Sequence, residues 1–186
     1  ALRESLETLP SDYDTLLARH AAVHGEMYSR VTLDLDTGEA GDIPIEDLLT
    51  ECRANGASAR LLEMAHAIGR YTLICGGTGD LPVALSGIWG NTWTPPWDGR
   101  YTFDANINLA ISGASQGNLP EAIETYCRYI ENSLEDWRYN ARQTFGCRGI
   151  LTDLCQGWRH GRSLMLYPWV GGAGWLISYL FDHYRH

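Results

Sequence analysis

The chain has 186 residues, 45% of them hydrophobic and 20% charged, enough apolar material for one ordinary globular domain over 1–186 and too much for a disordered chain. A formal net charge of -9, with a pI near 5.0, argues against a nucleic-acid or anionic-membrane partner, because both need a basic face. All 14 basic residues are arginine, which removes Schiff-base and P-loop lysine chemistry.

The predicted elements are helices and little else. Ser11, with Asp14 three residues on, reads as a capping pattern. It opens a segment whose Tyr13, Leu16, Leu17, His20, His24, Met27, Tyr28 and Val31 share one helical face. Asp34 to Asp42 is turn-like, and Asp42 with Pro44 opens a short helix through Cys52, ended by Asn55-Gly56. Ser58 to Cys75 repeats the helical stripe and stops at the glycines of CGGTGD. Asn106 to Ala114 is a candidate helix, and Asn118-Leu-Pro-Glu reads as an amino-terminal cap for the next. That next helix carries Ile123, Tyr126, Cys127, Ile130, Leu134 and Trp137 on one side. A short extended piece is expected around Ile150 and Leu151, and a last helix over Gly174 to Tyr184. Without βαβ alternation, the class is all-α.

Five cysteines at irregular spacings, Cys52, Cys75, Cys127, Cys147 and Cys155, outline neither a complete disulfide framework nor a zinc knuckle, and read as partly buried thiols. No stretch approaches the run of about 18 apolar residues a membrane span needs. The amino terminus, ALRESLETLP, has neither a signal-peptide pattern nor an initiating methionine, so the chain reads as a mature product or a piece of something longer, with its compartment not legible.

Most familiar chemistry finds little support. His20 and His24 lie four apart on a helix, as metal ligands can, but HAAVH lacks the glutamate of HExxH and has no third ligand. Neither a metal nor a cofactor is expected. The glycines of CGGTGD and VGGAG precede no Lys-Ser/Thr pair and read as helix stops. Cys147 and Cys155 with His160 do not make a thiol nucleophile by spacing alone.

The segment GIWGNTWTPPWDGRYTFDANIN, Gly87 to Asn108, is different. Trp89, Trp93 and Trp97 recur every four residues, yet Pro95, Pro96 and Gly99 forbid a helix, so the indoles belong to an irregular loop. Flat indole faces suit the apolar face of a pyranose ring, and the neighbouring Asp98, Asp104, Asn106 and Asn108 can hold hydroxyls. Two bland readings stand beside this one. The indoles could plug a core beneath a long connection, and the asparagines could serve local caps and turns.

Taken in order, DYDTLLARHAAVHGEMYSRVTLDL, GRYTLICGG, LSGIWGNTWTPPWDGRYTFDANIN, FGCRG and YPWVGGAGWLISYLFDHY make the chain resemble the catalytic domain of glycoside hydrolase family 95, the inverting α-L-fucosidases. The resemblance runs from about Asp12 to Tyr184 and implies an arc of helical hairpins that makes up roughly the first half of an (α/α)6 catalytic toroid. It further implies that Asn106 and Asn108 match an N-x-N pair that helps a downstream carboxylate activate the attacking water. Trp89, Trp97 and Asp98 match pocket-lining positions. The chain departs from the pattern after Asn108, where Leu109-Ala-Ile-Ser-Gly-Ala-Ser replaces an asparagine- and aromatic-bearing run. A second departure, Ile150 to Trp158, leaves Asp153 and Trp158 as pocket candidates.

Length limits how much of a toroid the chain can build. With helices of about 11 to 12 residues, 186 residues hold roughly six to nine, short of the twelve of a closed toroid. The resemblance places the general-acid and water-activating carboxylates beyond His186. Inverting hydrolysis needs both. The expectation is therefore a partial catalytic domain, inactive alone, that supplies the Asn pair and an aromatic sugar pocket to a carbohydrate-acting enzyme. The alternative is a non-catalytic glycan-binding or scaffold module. Self-association or a second chain is expected to cover an exposed apolar edge.

Overall fold

The computed structural model describes residues 2–35, 38, 43–157, 161–162 and 167–185. It is predominantly helical, in keeping with the all-α expectation. Two compact units divide the chain, residues 1–71 and 72–186.

The first unit holds α1 (Leu2–Glu7), α2 (Tyr13–Tyr28), α3 (Ile45–Asn55) and most of α4 (Ala59–Gly77). The cap of α2 is Asp12 rather than Ser11. Its carboxylate accepts both the Thr15 amide, at 2.8 Å, and the Thr15 hydroxyl, at 2.7 Å. These two bonds hold the Asp12 carboxyl below its usual range, where it also favours the positive end of the helix dipole. A lone Ser11 hydroxyl cannot match that. The helix stops at Tyr28, short of the Val31 that the apolar stripe extended to. Pro44 precedes α3 without a side-chain cap, and Asp42, expected to open it, lies outside the described residues. Gly56, at φ 85°, ends the helix in a conformation that costs other residues strain. Ser58 starts α4 by accepting the Leu61 amide at 3.2 Å. A long-range tie closes the unit: the buried Arg70 guanidinium donates through Nε to Tyr28 O at 2.8 Å and through Nη2 to Met27 O. Both carbonyls belong to the end of α2, where a cation is favoured.

The second unit is built on α6 (Pro120–Phe145), a 26-residue helix with ten buried positions, including Ile123, Tyr126, Ile130 and Trp137 of the expected stripe. Its start differs from expectation. The cap position is taken by Leu119, without a side-chain bond of its own, and Asn118 sits one residue earlier at φ 51°, a left-handed conformation asparagine tolerates. Around α6 lie α5 (Asn106–Ile111), α7 (Gly172–Arg185) and four two-residue strands: β1 (Tyr101–Thr102), β2 (Thr152–Asp153), β3 (Cys155–Gln156) and β4 (Pro168–Trp169). β1 pairs with β3, and β2 with β4, both antiparallel. The extended piece thus falls one residue past Ile150-Leu151. The glycines of VGGAG begin α7 instead of stopping a helix, and Gly172 has no room for a side chain: a Cβ there would overlap Thr152 Oγ1 and the Trp169 ring. Phe103 packs edge-on against Trp137, with ring centroids 6.1 Å apart, and Tyr101 against Tyr129 at 4.8 Å. Inside this core Trp137 Nε1 donates to Gln156 Oε1 at 2.7 Å, and Gln156 Nε2 to Ser133 Oγ at 3.2 Å, so these buried polar groups are paired.

Candidate functional site

The tryptophans lie on an irregular loop, as expected, and they do not plug a core. Trp93 is fully exposed, Trp97 is 66% exposed and Trp89 48%. The loop is nevertheless tightly folded. Pro96 leads into Trp97, Asp98 and Gly99, which follow one another in left-handed backbone at φ 54°, 55° and 65°. For Trp97 and Asp98 that conformation costs roughly 1–2 kcal/mol each, which surrounding bonds must hold in place. Those bonds are visible: Asp98 N to Pro95 O and Arg100 N to Trp97 O, both at 3.0 Å. Arg100 adds an ion pair with Asp98 at 3.1 Å and reaches Cys155 Sγ at 3.8 Å, tying the loop to β3. Sequence reasoning does not single out Arg100. Its place two residues after Asp98 is the available signal.

Asp104 and Asn106 are both exposed or partly so, Asn106 in the first turn of α5. Asn108 is fully buried. Its Nδ2 donates to Trp175 O at 3.0 Å, and its Oδ1 lies 3.3 Å from the Tyr126 hydroxyl, which in turn donates to Leu176 O at 2.8 Å. Burial pushes the Tyr126 hydroxyl far above the ordinary phenol range, so it stays protonated as a donor. The two asparagines thus face different surroundings: one meets water, and the other fastens α5 to α7. The sequence shows Tyr126 only as an apolar stripe residue.

Asp153 is buried in β2, and its Oδ1 accepts the amides of Leu154, at 2.6 Å, and Tyr167, at 2.9 Å. That is a structural brace for the β2–β4 pair. Trp158 and His160 lie outside the described residues.

In the first unit, His20 and His24 stand 5.1 Å apart by ring centroid, and His24 packs against Tyr28 and Tyr71. Burial depresses the His24 pKa, with His20 adding to the effect. Among the described residues no group of three or more His, Cys, Asp or Glu could hold a metal. A groove of about 270 Å³ in the same unit is lined by Tyr28, Arg60, Glu63, His66 and Arg70. Most of its polar groups serve the fold, Glu63 accepting the Leu35 amide at 2.8 Å and Arg70 capping α2.

A model described as the glycosyl hydrolase family 95 catalytic domain matches residues 12–186, across both units, and the chain belongs to that family. Alpha-L-fucosidase 2 of Arabidopsis thaliana is 26% identical over 184 residues, covering 94% of this chain and 22% of that protein. Probable alpha-fucosidase A of Aspergillus niger is 25% identical, covering 100% of this chain and 24% of its own length. A protein of the same name from Aspergillus oryzae is 26% identical over 162 residues, covering 82% of this chain and 22% of its own length. The chain spans less than a quarter of each of these relatives.

Proposed function

We propose that this chain is a partial catalytic domain of a glycoside hydrolase acting by inversion on terminal α-L-fucose or a related sugar. The observation that carries the reading is the family match over residues 12–186, which includes the loop of exposed indoles. In this reading Trp89, Trp93 and Trp97 offer stacking faces to sugar rings, while Asp98 and Asp104 accept hydroxyls. Trp158 is assigned to the same wall by resemblance alone. Asn106 and Asn108 form the water-side pair. The carboxamide of Asn106 orients the attacking water, and Asn108 holds that turn of α5 in place through Trp175 and Tyr126. An asparagine cannot take the proton. Inversion requires a carboxylate to do so and a second, protonated carboxyl about 6.5–9.5 Å away to protonate the leaving oxygen. The reading assigns both to polypeptide outside these 186 residues.

A second reading, a glycan-binding module without catalysis, is favoured by the burial of Asn108 away from solvent. Assays of the 186-residue chain and of the complete gene product on an aryl α-L-fucoside, with the anomer of the released sugar followed by NMR, separate the two. Hydrolysis by the complete product with β-fucose released first, reduced about 10²-fold or more in Asn106→Ala, supports the enzyme. Saccharide binding without hydrolysis moves the assignment to the module, and release of the α-anomer first sinks the inverting mechanism.

A further inference from the structure

We infer that Tyr126 is a positioning residue for the hydrolysis proposed above: its hydroxyl, lying between Leu176 O and Asn108 Oδ1, fixes the rotation of α5 and thereby the aim of the Asn106 carboxamide. The inference rests on the hydrolase reading and adds to it a residue from a third element. Tyr126 projects from α6 and is wholly buried. Its ring packs edge-on against Tyr179 of α7, with centroids 6.2 Å apart. Side chains from two helices, Tyr126 and Asn108, thus end on the neighbouring carbonyls of Leu176 and Trp175 in a third.

A phenol has one proton to give. Leu176 O accepts it at 2.8 Å, and the 3.3 Å to Asn108 Oδ1 is long for an O–H bond, so the amide oxygen receives the weaker share. Burial keeps the phenol protonated through neutral pH, which makes the donor a constant one. Helix α5 needs such a tie. It has six residues, too few to hold a helix unaided, and its cap residue Ala105 supplies no side-chain bond. Ile107 and Ile111 bury its apolar side, but apolar contact is non-directional and does not fix how the helix is turned. Among the described side chains of α5, Asn108 makes the directed bonds to its surroundings. Asn106 lies two positions earlier, about 200° away around the axis, and is exposed. Turning α5 by about 15° would carry a side-chain tip, about 5–6 Å from the axis, through about 1.4 Å. A misplacement of about 1 Å can cost about 10²-fold in rate.

Steady-state kinetics of the complete gene product on an aryl α-L-fucoside test this, with Tyr126→Phe, Asn106→Ala and the double variant. Tyr126→Phe keeps the ring and removes the proton. It should lower kcat about tenfold or more and leave KM within about twofold. In the Asn106→Ala background the same change should cost less than about twofold, because its effect passes through Asn106. Tyr129→Phe, which removes another buried phenol hydroxyl, should leave kcat within about twofold of the native value. An unchanged kcat in Tyr126→Phe, the same fold loss with and without Asn106, or an equal loss in Tyr129→Phe overturns the inference and leaves the hydrolase reading standing. No hydrolysis by the native product overturns both. Should Tyr126→Phe fail to fold, 3-fluorotyrosine placed at position 126 keeps the shape and makes the hydroxyl a stronger donor. A kcat shifted by about twofold or more at constant KM then supports the inference, and an unshifted kcat overturns it.

Discussion

Helices α2 and α6 both show an apolar stripe in sequence, yet α2 buries none of its 16 residues, whereas ten positions of the 26-residue α6 are buried. Around α6 the side chains interlock: Trp137 meets Phe103 edge-on, and its indole N–H is spent on Gln156. Around α2 the described ties are fewer and directed, above all the Arg70 guanidinium on the carbonyls of Met27 and Tyr28. An apolar stripe records that a face can be covered. Whether this chain covers it is a matter of what packs there, and Leu17 and Val23 remain exposed.

The contrast can be broken by mutation. The largest effect is expected from Trp137→Ala, which empties a fully buried indole site and removes the donor to Gln156. Urea denaturation should show a loss of about 3–5 kcal/mol, and a loss under about 1 kcal/mol would mean that the second unit is not held by its core. Arg70→Ala removes charged hydrogen bonds from two carbonyls and should cost about 1.5–3 kcal/mol in the same measurement, with reduced amide protection at the end of α2 in hydrogen exchange. Alkaline titration probes the core from another side. Burial pushes the Tyr101 hydroxyl up to about 12, above its unfolded value near 10. The stability this group contributes is complete below about pH 10 and is lost as pH rises from about 10 towards 12, because the unfolded chain ionises first. Tyr101→Phe should flatten that decline, measured as the urea midpoint at about pH 9 and about pH 11.5. The smallest effect belongs to Leu17→Ala, within about 0.5 kcal/mol, since an exposed side chain has little burial to lose. A loss of about 2 kcal/mol there would show that α2 is covered after all.

Much of the helical framework is legible because its signals are local. Gly56 ends α3 through its left-handed backbone, α4 runs out at the Gly76-Gly77 pair, and Ser58 opens α4 through its hydroxyl, each a matter of a few neighbouring residues. The errors share a cause. Ser11 loses to Asp12 because two acceptor bonds to Thr15 outweigh one, and the cap position of α6 falls on Leu119, one residue past Asn118 in its left-handed backbone. The VGGAG glycines open a helix, and at Gly172 no side chain fits because Thr152, distant in sequence, and Trp169 occupy the space beside it. The candidate site is legible as residue types in one segment. What no local pattern carries is the difference in burial between Asn106 and Asn108, which depends on α7 lending Trp175 O to one of them.

The pairing of β1 with β3 also sets an order of events. Arg100 reaches a cysteine 55 residues further along the chain, and Thr102 lies opposite the same Cys155. During synthesis the tryptophan loop is therefore made long before its anchor, and Arg100 has no Cys155 to reach until that residue has left the ribosome. At about 5–20 residues per second that interval lasts several seconds, long enough for chaperone capture to compete with folding.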